Sequence, residues 1–357
     1  MKDKYIFITT TMFSRSNGPA SFAMNLFLDK SIKYKFDFFT TDVKSSFDNV
    51  KRVNSPFKGM IMYSFCFYLK LRKIKCKAAI WNFSVLSFFS ILFLKKTDHI
   101  VFVNDSLSLN IKLSLSYKSF RLFIFRFLER YTVINSKKVI VNSEYIKNQL
   151  VNQYKINPNK IEVLFKGLNL SEITKYKTDF DIDIKKPIRV TFVKSDPEVG
   201  GLELLCNSLS LLNYNFELKI IGPKILNKKY FKHQNIKINL LGKLKKNILY
   251  NNILKSDLFF VPCLDEAFGQ ANIEAMYCKI PTLLLPIDQQ KLIHNESYCY
   301  FSDGITKLKI SESIHKLINL KTEERKTSSN LAHQIIRDKF SFESTKINFK
   351  KILDENI

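Results

Sequence analysis

The chain has 357 residues, of which 46% are hydrophobic, and carries 57 Lys and Arg against 32 Asp and Glu. This hydrophobic content excludes an intrinsically disordered chain, and the length suits two domains of about 170 residues each. Six cysteines without a C-x-x-C pair or a Cys/His cluster indicate reduced thiols in a cytosolic setting and no metal site. No signal peptide is apparent, because Tyr5–Thr11 is too short for the apolar core of one.

Positive charge is concentrated in the first half of the chain. Residues 1–170 have 28 Lys and Arg against 10 Asp and Glu (28 − 10 = +18), and residues 171–357 have 29 against 22 (29 − 22 = +7). Such a basic half predicts an anionic partner: lipid head groups, nucleic acid or phosphorylated substrates. The alternative is a solvated basic surface without a partner.

Strands and helices alternate through the first half. A strand at Lys4–Thr9, a turn at Ser14–Ala20 and a helix from Ser21 match the opening of a nucleotide-binding α/β domain. The run Ala78–Leu94 is close to membrane-spanning length, but its polar residues favour a strand followed by a helix. The other predicted elements are strands at Phe36–Thr40, Ile100–Val103, Val139–Ser143 and Ile161–Gly167 and a helix at Met60–Arg72.

Lys112–Arg130 is amphipathic, with aromatic and basic residues interleaved. Two compatible interpretations follow: a helix that lies in a membrane interface, and a domain helix whose aromatics face the sheet. No motif supports nucleic-acid binding by this segment. His99, just before the next strand, is predicted to lie at the surface.

The second half begins after a polar segment, Ser171–Pro187, which we predict to be a linker. Asp179, Asp181 and Asp183 in it mimic a D-x-D metal motif but are interpreted as solvated charge. The predicted strands are Ile188–Val193, Glu217–Gly222, Lys237–Gly242, Asp257–Val261 and Thr282–Leu285. The predicted helices are Leu202–Leu212, Leu249–Lys255, Ser311–Leu320, Glu323–Lys339 and Phe342–Leu353.

The most informative stretch is Pro262–Pro281, a loop that becomes helical at about Gln270. Glu266 on the loop and Glu274 on the helix stand eight positions apart, with Gly269 between them. The helix start suits a diphosphate, whereas carboxylates beside a diphosphate must face hydroxyl groups. The residues therefore predict a nucleotide-sugar site; the alternative is a strand–loop–helix with two solvent-exposed glutamates.

This stretch resembles the E-x7-E signature of retaining GT-B glycosyltransferases of family four, with Ala275 and Pro281 also in register. Ala267 and Lys279 depart from the glycines usual there. The resemblance implies an α/β GT-B fold with two Rossmann-like domains facing across a cleft. The implied domains are residues 1–170, a linker 171–187 and residues 188–339, with a final helix at about 340–357 packing back on the first domain.

The resemblance also assigns roles to residues near the donor. In the family the first Glu contacts the transferred sugar and the second holds the ribose, which implies a catalytic Glu266 and a donor-binding Glu274. The donor-binding set also includes the loop and helix start after Glu266 and a turn that resembles the family's Gly-Gly loop near the phosphates. Its members are Phe268, Gly269, Gln270, Ala271, Asn17 and Gly18, together with Lys194 and Ser195.

Two family positions are substituted in this chain. Asn104 stands where many members have a His near the reacting sugar; the resemblance implies that it is catalytic with Glu266 and lies near the acceptor, although Asn cannot transfer a proton near neutral pH. Ser195 and Gly200 stand where an Arg and a Lys usually neutralise the diphosphate, and Lys194 is the candidate substitute.

The implied activity is metal-independent, retaining transfer of a hexose or related sugar from a UDP- or GDP-sugar, without a cofactor. The expected acceptor is a glycan, such as one linked to polyprenyl diphosphate, in bacterial capsule or O-antigen assembly. The expected location is cytoplasmic, peripheral on the anionic inner face of the membrane, without a nucleic-acid partner. The alternatives are a non-catalytic relative that binds a nucleotide sugar or a partner transferase, and a basic nucleic-acid binder.

Overall fold

The computed structural model describes residues 4–13, 18–42, 47–104, 117–266 and 268–356. The chain forms two compact units, each built on a parallel sheet flanked by helices. The first unit comprises Met1–Gly167 and Phe342–Ile357, and the second comprises Leu168–Ser341.

The sheet of the first unit has the order β3-β2-β1-β4-β5-β6-β7 among the described residues. Its strands are β1 (Tyr5–Ile8), β2 (Phe36–Thr40), β3 (Val50–Arg52), β4 (Ala78–Trp81), β5 (Asp98–Val103), β6 (Lys138–Val141) and β7 (Ile161–Val163). Its helices are α1 (Gly18–Leu28), α2 (Met60–Leu71), α3 (Phe88–Phe93), α4 (Tyr117–Asn135), α5 (Glu144–Tyr154) and, from the chain end, α12 (Phe342–Asn356). The strand order reverses between β1 and β4, which is where ligands bind in open α/β sheets.

Aromatic side chains fill the core of the first unit. Phe349 on α12 is fully buried, with its ring centroid 5.6 Å from that of Phe22 and 6.1 Å from that of Phe36. All four residues of β1 are buried, as expected for a parallel strand covered on both faces. The last helix of the chain is therefore part of the core of the first unit.

The sheet of the second unit has the order β10-β9-β8-β11-β12-β13. Its strands are β8 (Ile188–Val193), β9 (Phe216–Ile221), β10 (Ile236–Gly242), β11 (Leu258–Phe260), β12 (Thr282–Leu284) and β13 (Tyr300–Phe301). Its helices are α6 (Leu202–Leu209), α7 (Lys246–Ile253), α8 (Gln270–Tyr277), α9 (Asp288–Lys291), α10 (Lys307–Asn319) and α11 (Thr322–Phe340). Here the order reverses between β8 and β11.

The segment 171–187, predicted as a linker, packs within the second unit. Lys177 is buried and lies 3.6 Å from a carboxylate oxygen of Asp257, and the carbonyl of Phe180 accepts a 3.0 Å hydrogen bond from Arg325. Asp179, Asp181 and Asp183 lie exposed. Three residues of this segment are buried and lie three to four positions apart among polar ones: Ile173, Lys177 and Phe180. Because most of the segment is polar, its composition did not indicate that it packs within the second unit.

The prediction that His99 lies at the surface was wrong. His99 is 4% exposed, and its Nδ1 accepts a 3.1 Å hydrogen bond from Trp81 Nε1. Burial lowers the pKa of His99 to about 4, so the ring is neutral at physiological pH.

Candidate functional site

Lys194 and Glu266 meet at the strand reversal of the second sheet. Lys194 follows β8, Glu266 lies on the loop after β11, and Lys194 Nζ is 2.5 Å from Glu266 Oε2. Both side chains are about one quarter exposed, at 24% and 23%. Burial opposes the charge on Lys194, but the Glu266 carboxylate outweighs it and raises the pKa of the lysine. The structure thus places a cation and an anion together where α/β sheets bind ligands.

Gly269 connects Glu266 to the start of α8. Its N–H donates a 3.3 Å hydrogen bond to Glu266 Oε1, and it precedes Gln270, the first residue of the helix. Its φ of +72° lies in the left-handed region that favours glycine. The loop conformation therefore holds the Glu266 carboxylate beside the positive end of the α8 dipole.

Glu274, in the second turn of α8, is buried, with 3% of its surface exposed. Its carboxylate forms an ion pair with Lys246, the first residue of α7, and Tyr250 OH lies 3.5 Å from the same oxygen. This burial contradicts the alternative of two solvent-exposed glutamates. Sequence reasoning missed Lys246, since the predicted helix began only at Leu249 and the pair spans 28 positions.

The two positions that usually carry cations in the resembled family lie on the loop after β8. Ser195 is exposed on this loop. At Gly200 a Cβ atom would lie 2.5 Å from the Phe192 ring and 2.9 Å from the Lys194 side chain. The stem of Lys194 therefore occupies the space that a side chain at position 200 would need.

The predicted donor-binding residues on the loop after β11 and at the start of α8 differ in exposure. Phe268 is 8% exposed, with its ring centroid 5.9 Å from that of Phe340, so its ring contributes to packing. Gln270 and Ala271 open α8 and are partly exposed.

In the first unit, polar residues follow successive strands at the carboxyl edge of the sheet. Asn82, after β4, donates to Thr9 Oγ1 after β1 (3.1 Å) and to the carbonyl of Pro19 in α1 (2.9 Å). Asn104, after β5, donates to the Asn82 carbonyl (2.5 Å), and Asn142, after β6, donates to the Asn104 carbonyl (2.8 Å). A continuous row of three amides thus follows β4, β5 and β6, and the Asn82–Thr9 hydrogen bond extends it across the strand reversal to β1.

Lys166, after β7, lies buried beneath this row with 6% of its surface exposed. It donates to Asn82 Oδ1 (3.1 Å) and to Asn104 Oδ1, and its ammonium is 5.3 Å and 4.9 Å from the ring centroids of Phe22 and Phe102. Lys166 therefore fixes the orientation of the Asn104 amide, a role that sequence reasoning did not assign to it. Of the predicted phosphate turn, Gly18 begins α1 and is partly exposed, whereas Asn17 lies outside the described residues.

A cavity of about 270 Å³ lies in the first unit beside Asn104. Most of its lining is apolar, with Arg121 and Glu129 from α4 among the polar groups. Its lining residues are Met60, Phe83, Ser84, Val85, Phe102, Asn104, Arg121, Leu122, Phe125 and Glu129. Glu129 accepts hydrogen bonds from Ser84 Oγ (3.0 Å) and Tyr154 OH (3.1 Å).

Among the described residues, no cluster of three or more His, Cys, Asp or Glu side chains could hold a metal ion. Within the same residues, none of the helices combines the length and the apolar character that crossing a membrane requires.

Comparison with known proteins defines the class of fold first. The chain aligns with the Anabaena protein HepE, solved in complex with UDP and glucose, at a TM-score of 0.71 and 14% identity, covering 98% of this chain and 99% of HepE. The fold is that of the GT-B glycosyltransferases, with two parallel α/β sheets. The predicted fold class is confirmed.

Comparison with a protein family and with individual relatives is more specific than the comparison of folds. Residues 175–334, which lie within the second unit, match the family described as glycosyl transferases group 1. An uncharacterized glycosyltransferase of Methanocaldococcus jannaschii is 28% identical over 239 residues, or 64% of this chain and 63% of that protein. Protein CapJ of Staphylococcus aureus is 27% identical over 229 residues, or 58% of this chain and 55% of CapJ. The aligned region thus spans less than two thirds of each of these relatives.

Proposed function

We propose that the protein is a retaining glycosyltransferase of the family-four type, which moves a sugar from a nucleotide sugar to an acceptor hydroxyl. The observation that carries the proposal is the Lys194–Glu266 pair at the strand reversal of the second sheet, next to the start of α8. A cation, a carboxylate and a helix N-terminus at one place suit a ligand that joins a diphosphate to hydroxyl groups.

Each residue then has a role in binding the donor. Glu266 accepts hydrogen bonds from the sugar hydroxyls, while Lys194 and the α8 dipole stabilise the negative charge on the leaving diphosphate. Glu274 accepts hydrogen bonds from the ribose, since a carboxylate has about four lone-pair sites and its pairing with Lys246 leaves some of them available. The charge stabilisation comes from the protein itself, and a donor phosphate oxygen takes the acceptor proton. No metal ion or cofactor is required.

We assign the acceptor to the first unit. Asn104, held by Lys166, offers an oriented amide at the sheet edge, and the neighbouring cavity has apolar walls with Arg121 and Glu129 among its polar groups. An acceptor that combines a glycan with an apolar carrier suits this combination. We therefore propose a lipid-linked glycan acceptor, as used in bacterial surface polysaccharide assembly.

A membrane surface is the proposed location of the acceptor. On α4, Phe123 and Phe127 are 56% and 62% exposed, and Arg121 and Arg130 on the same helix are also exposed. Exposed aromatic and basic residues on one helix suit an anionic lipid interface. Co-sedimentation with anionic liposomes should decrease as salt is raised, and equal binding to neutral vesicles would contradict the assignment.

The second candidate is a non-catalytic relative that binds a nucleotide sugar or a partner transferase. It is favoured by the absence of a cationic side chain at Ser195 and Gly200. The two candidates differ in turnover: a binder is stabilised against heat by UDP or GDP but does not consume a donor with any acceptor.

The deciding experiment compares donor hydrolysis and transfer by wild type, Glu266→Gln and Glu274→Gln. We expect Glu266→Gln to lower kcat/KM about a hundredfold, since one group that stabilises the transition state is removed. Glu274→Gln should raise the donor KM about tenfold, the effect of weakening one charge-assisted hydrogen bond. Wild-type activity in both variants would show that the site assignment is wrong.

A further inference from the structure

Gln290, on α9, is a buried amide without a hydrogen-bond partner. Only 2% of its surface is exposed, and neither its side-chain nitrogen nor its side-chain oxygen forms a hydrogen bond. Buried polar side chains are nearly always paired, because an unpartnered one loses its hydration without compensation. Gln290 therefore has a donor and an acceptor available for a ligand.

The Gln290 amide lies against the loop that holds Glu266. A Cβ atom built on Gly269 would lie 3.2 Å from Gln290 Nε2 and 2.8 Å from Asn272 Nδ2. Asn272 is itself 4% exposed. Two carboxamide groups thus converge on the side-chain position that Gly269 leaves empty, and the Gly269 N–H donates to Glu266 Oε1.

The Gln290 and Asn272 side chains are uncharged, and so is a third buried polar side chain that is near them in the chain. His294, one turn after Gln290, is 3% exposed; its Nδ1 lies 2.9 Å from Tyr298 OH, and its Nε2 has no hydrogen-bond partner. Burial lowers the pKa of His294 to about 3, so it carries no charge at neutral pH. An uncharged set of donors and acceptors matches hydroxyl groups, which also donate and accept, better than a phosphate or a carboxylate.

We propose that Gln290 and Asn272 form a carboxamide subsite that binds the hydroxyl groups of a neutral donor sugar. This inference rests on the proposed function, because it assumes that the sugar of a nucleotide sugar lies beside Glu266. Gln290 is then a specificity-determining residue, since its amide acts on the sugar and not on the nucleoside diphosphate.

The test measures Kd by isothermal titration for UDP, GDP, UDP-glucose, UDP-galactose and GDP-mannose with wild type and Gln290→Met. Met has nearly the volume of Gln but no amide. For Gln290→Met, we expect the affinity for the nucleotide sugar that wild type binds best to fall about tenfold, because one to two hydrogen bonds are lost. Its affinity for the corresponding nucleoside diphosphate should equal that of wild type. The matched control is Tyr230→Phe, which removes another buried, unpartnered polar atom of the second unit; its affinities should equal those of wild type.

A second readout is the unfolding temperature without ligand. Because Gln290→Met removes an unpartnered buried amide, its unfolding temperature should equal or exceed that of wild type. Gln290→Leu is the second variant, because Met alone could lower the temperature by perturbing the packing. A lower temperature in both variants would show that the amide is satisfied inside the protein, as by a buried water, and would overturn the subsite.

The remaining outcomes distinguish a failure of the carboxamide subsite from a failure of the proposed glycosyltransferase function. Equal affinity of Gln290→Met and wild type for the nucleotide sugar, or an equal loss for sugar and diphosphate, would overturn the subsite alone. Wild type that binds a diphosphate no more weakly than its nucleotide sugars would do the same. Wild type that binds none of the five compounds would contradict the proposed function itself.

Discussion

The side chain of Lys194 fills the space beside Gly200 on the loop after β8. A side chain at position 200 would collide with the Phe192 ring and with the stem of Lys194, and this stem carries the ammonium to Glu266. Position 194 thus carries a cation beside Ser195 and Gly200, which lack one, and Lys194 stays the predicted substitute. The sequence could not predict the partner, since the two residues are 72 positions apart and only the strand order brings them together.

Replacing Lys194 by Met removes the charge and keeps the apolar stem that packs beside Gly200. We expect binding of a nucleoside diphosphate to weaken about ten- to a hundredfold, the range for a charge-assisted hydrogen bond, with little change for the nucleoside alone. Titration calorimetry with UDP, GDP and their nucleosides measures both. Lys229→Met, which breaks a surface pair with Glu203, is the control and should bind like wild type. Equal losses for nucleoside and diphosphate would mean that Lys194 acts through structure alone.

His99 should make the first unit sensitive to acid. Burial lowers the pKa of His99 in the folded protein to about 4, from an ordinary value of 6.5. Between pH 4 and 6.5, therefore, the imidazole takes up a proton only in the unfolded chain. Stability from this group is therefore complete above pH 6.5 and falls by about 1.4 kcal/mol per pH unit down to about pH 4. Protonation at Nδ1 would also break the hydrogen bond from Trp81.

His99→Gln keeps a hydrogen-bond acceptor for Trp81 but does not titrate. Urea unfolding followed by the fluorescence of Trp81, the one Trp of the sequence, should show a shallower loss of stability for the variant between pH 6.5 and 4. His294 and the carboxylates titrate in both proteins and cancel in the comparison. Equal pH slopes would refute the role given to His99.

At the scale of elements, prediction from sequence succeeded where the pattern is local. The bounds of β2 and β8 and the start of α8 were predicted correctly, because both strands are rich in aromatic and β-branched residues and Gly269 precedes a helical pattern. The edge strands β3 and β13, with three and two residues, were missed because such short segments show no periodicity.

Gly201 is an element junction that leaves no room for a side chain. It precedes α6 with a φ of +73°, and a Cβ there would lie 2.2 Å from the carbonyl oxygen of Pro262. We expect Gly201→Ala to lower the free energy of unfolding by about 2 kcal/mol or more, from backbone strain and steric overlap.

Gly304→Ala is the matched control for Gly201→Ala. Its nearest neighbours would be side-chain atoms of Lys309 at 3.3 Å and 3.4 Å, which can move. The control should stay within about 0.5 kcal/mol of wild type in urea unfolding followed by circular dichroism. Equal effects of the two variants would contradict the close approach of α6 to the loop after β11.

At the scale of the whole molecule, the chain length, the alternation of strands and helices and the family resemblance together predicted two α/β units. The chemistry of the second unit was predictable only in part. Glu266 and Glu274 were predicted as site residues from the resemblance and spacing, whereas Lys246 and Gln290 contact this region only through elements distant in sequence. In the first unit, Lys166 and Asn142 were missed for the same reason.

The most direct test of the central claim is hydrogen exchange of the full chain with and without the nucleotide sugar that most raises its unfolding temperature. If the donor binds at the strand reversal of the second sheet, amides in 194–201 and in 262–277 should gain the strongest protection. Unchanged exchange in both segments, with protection elsewhere in the chain, would contradict the account.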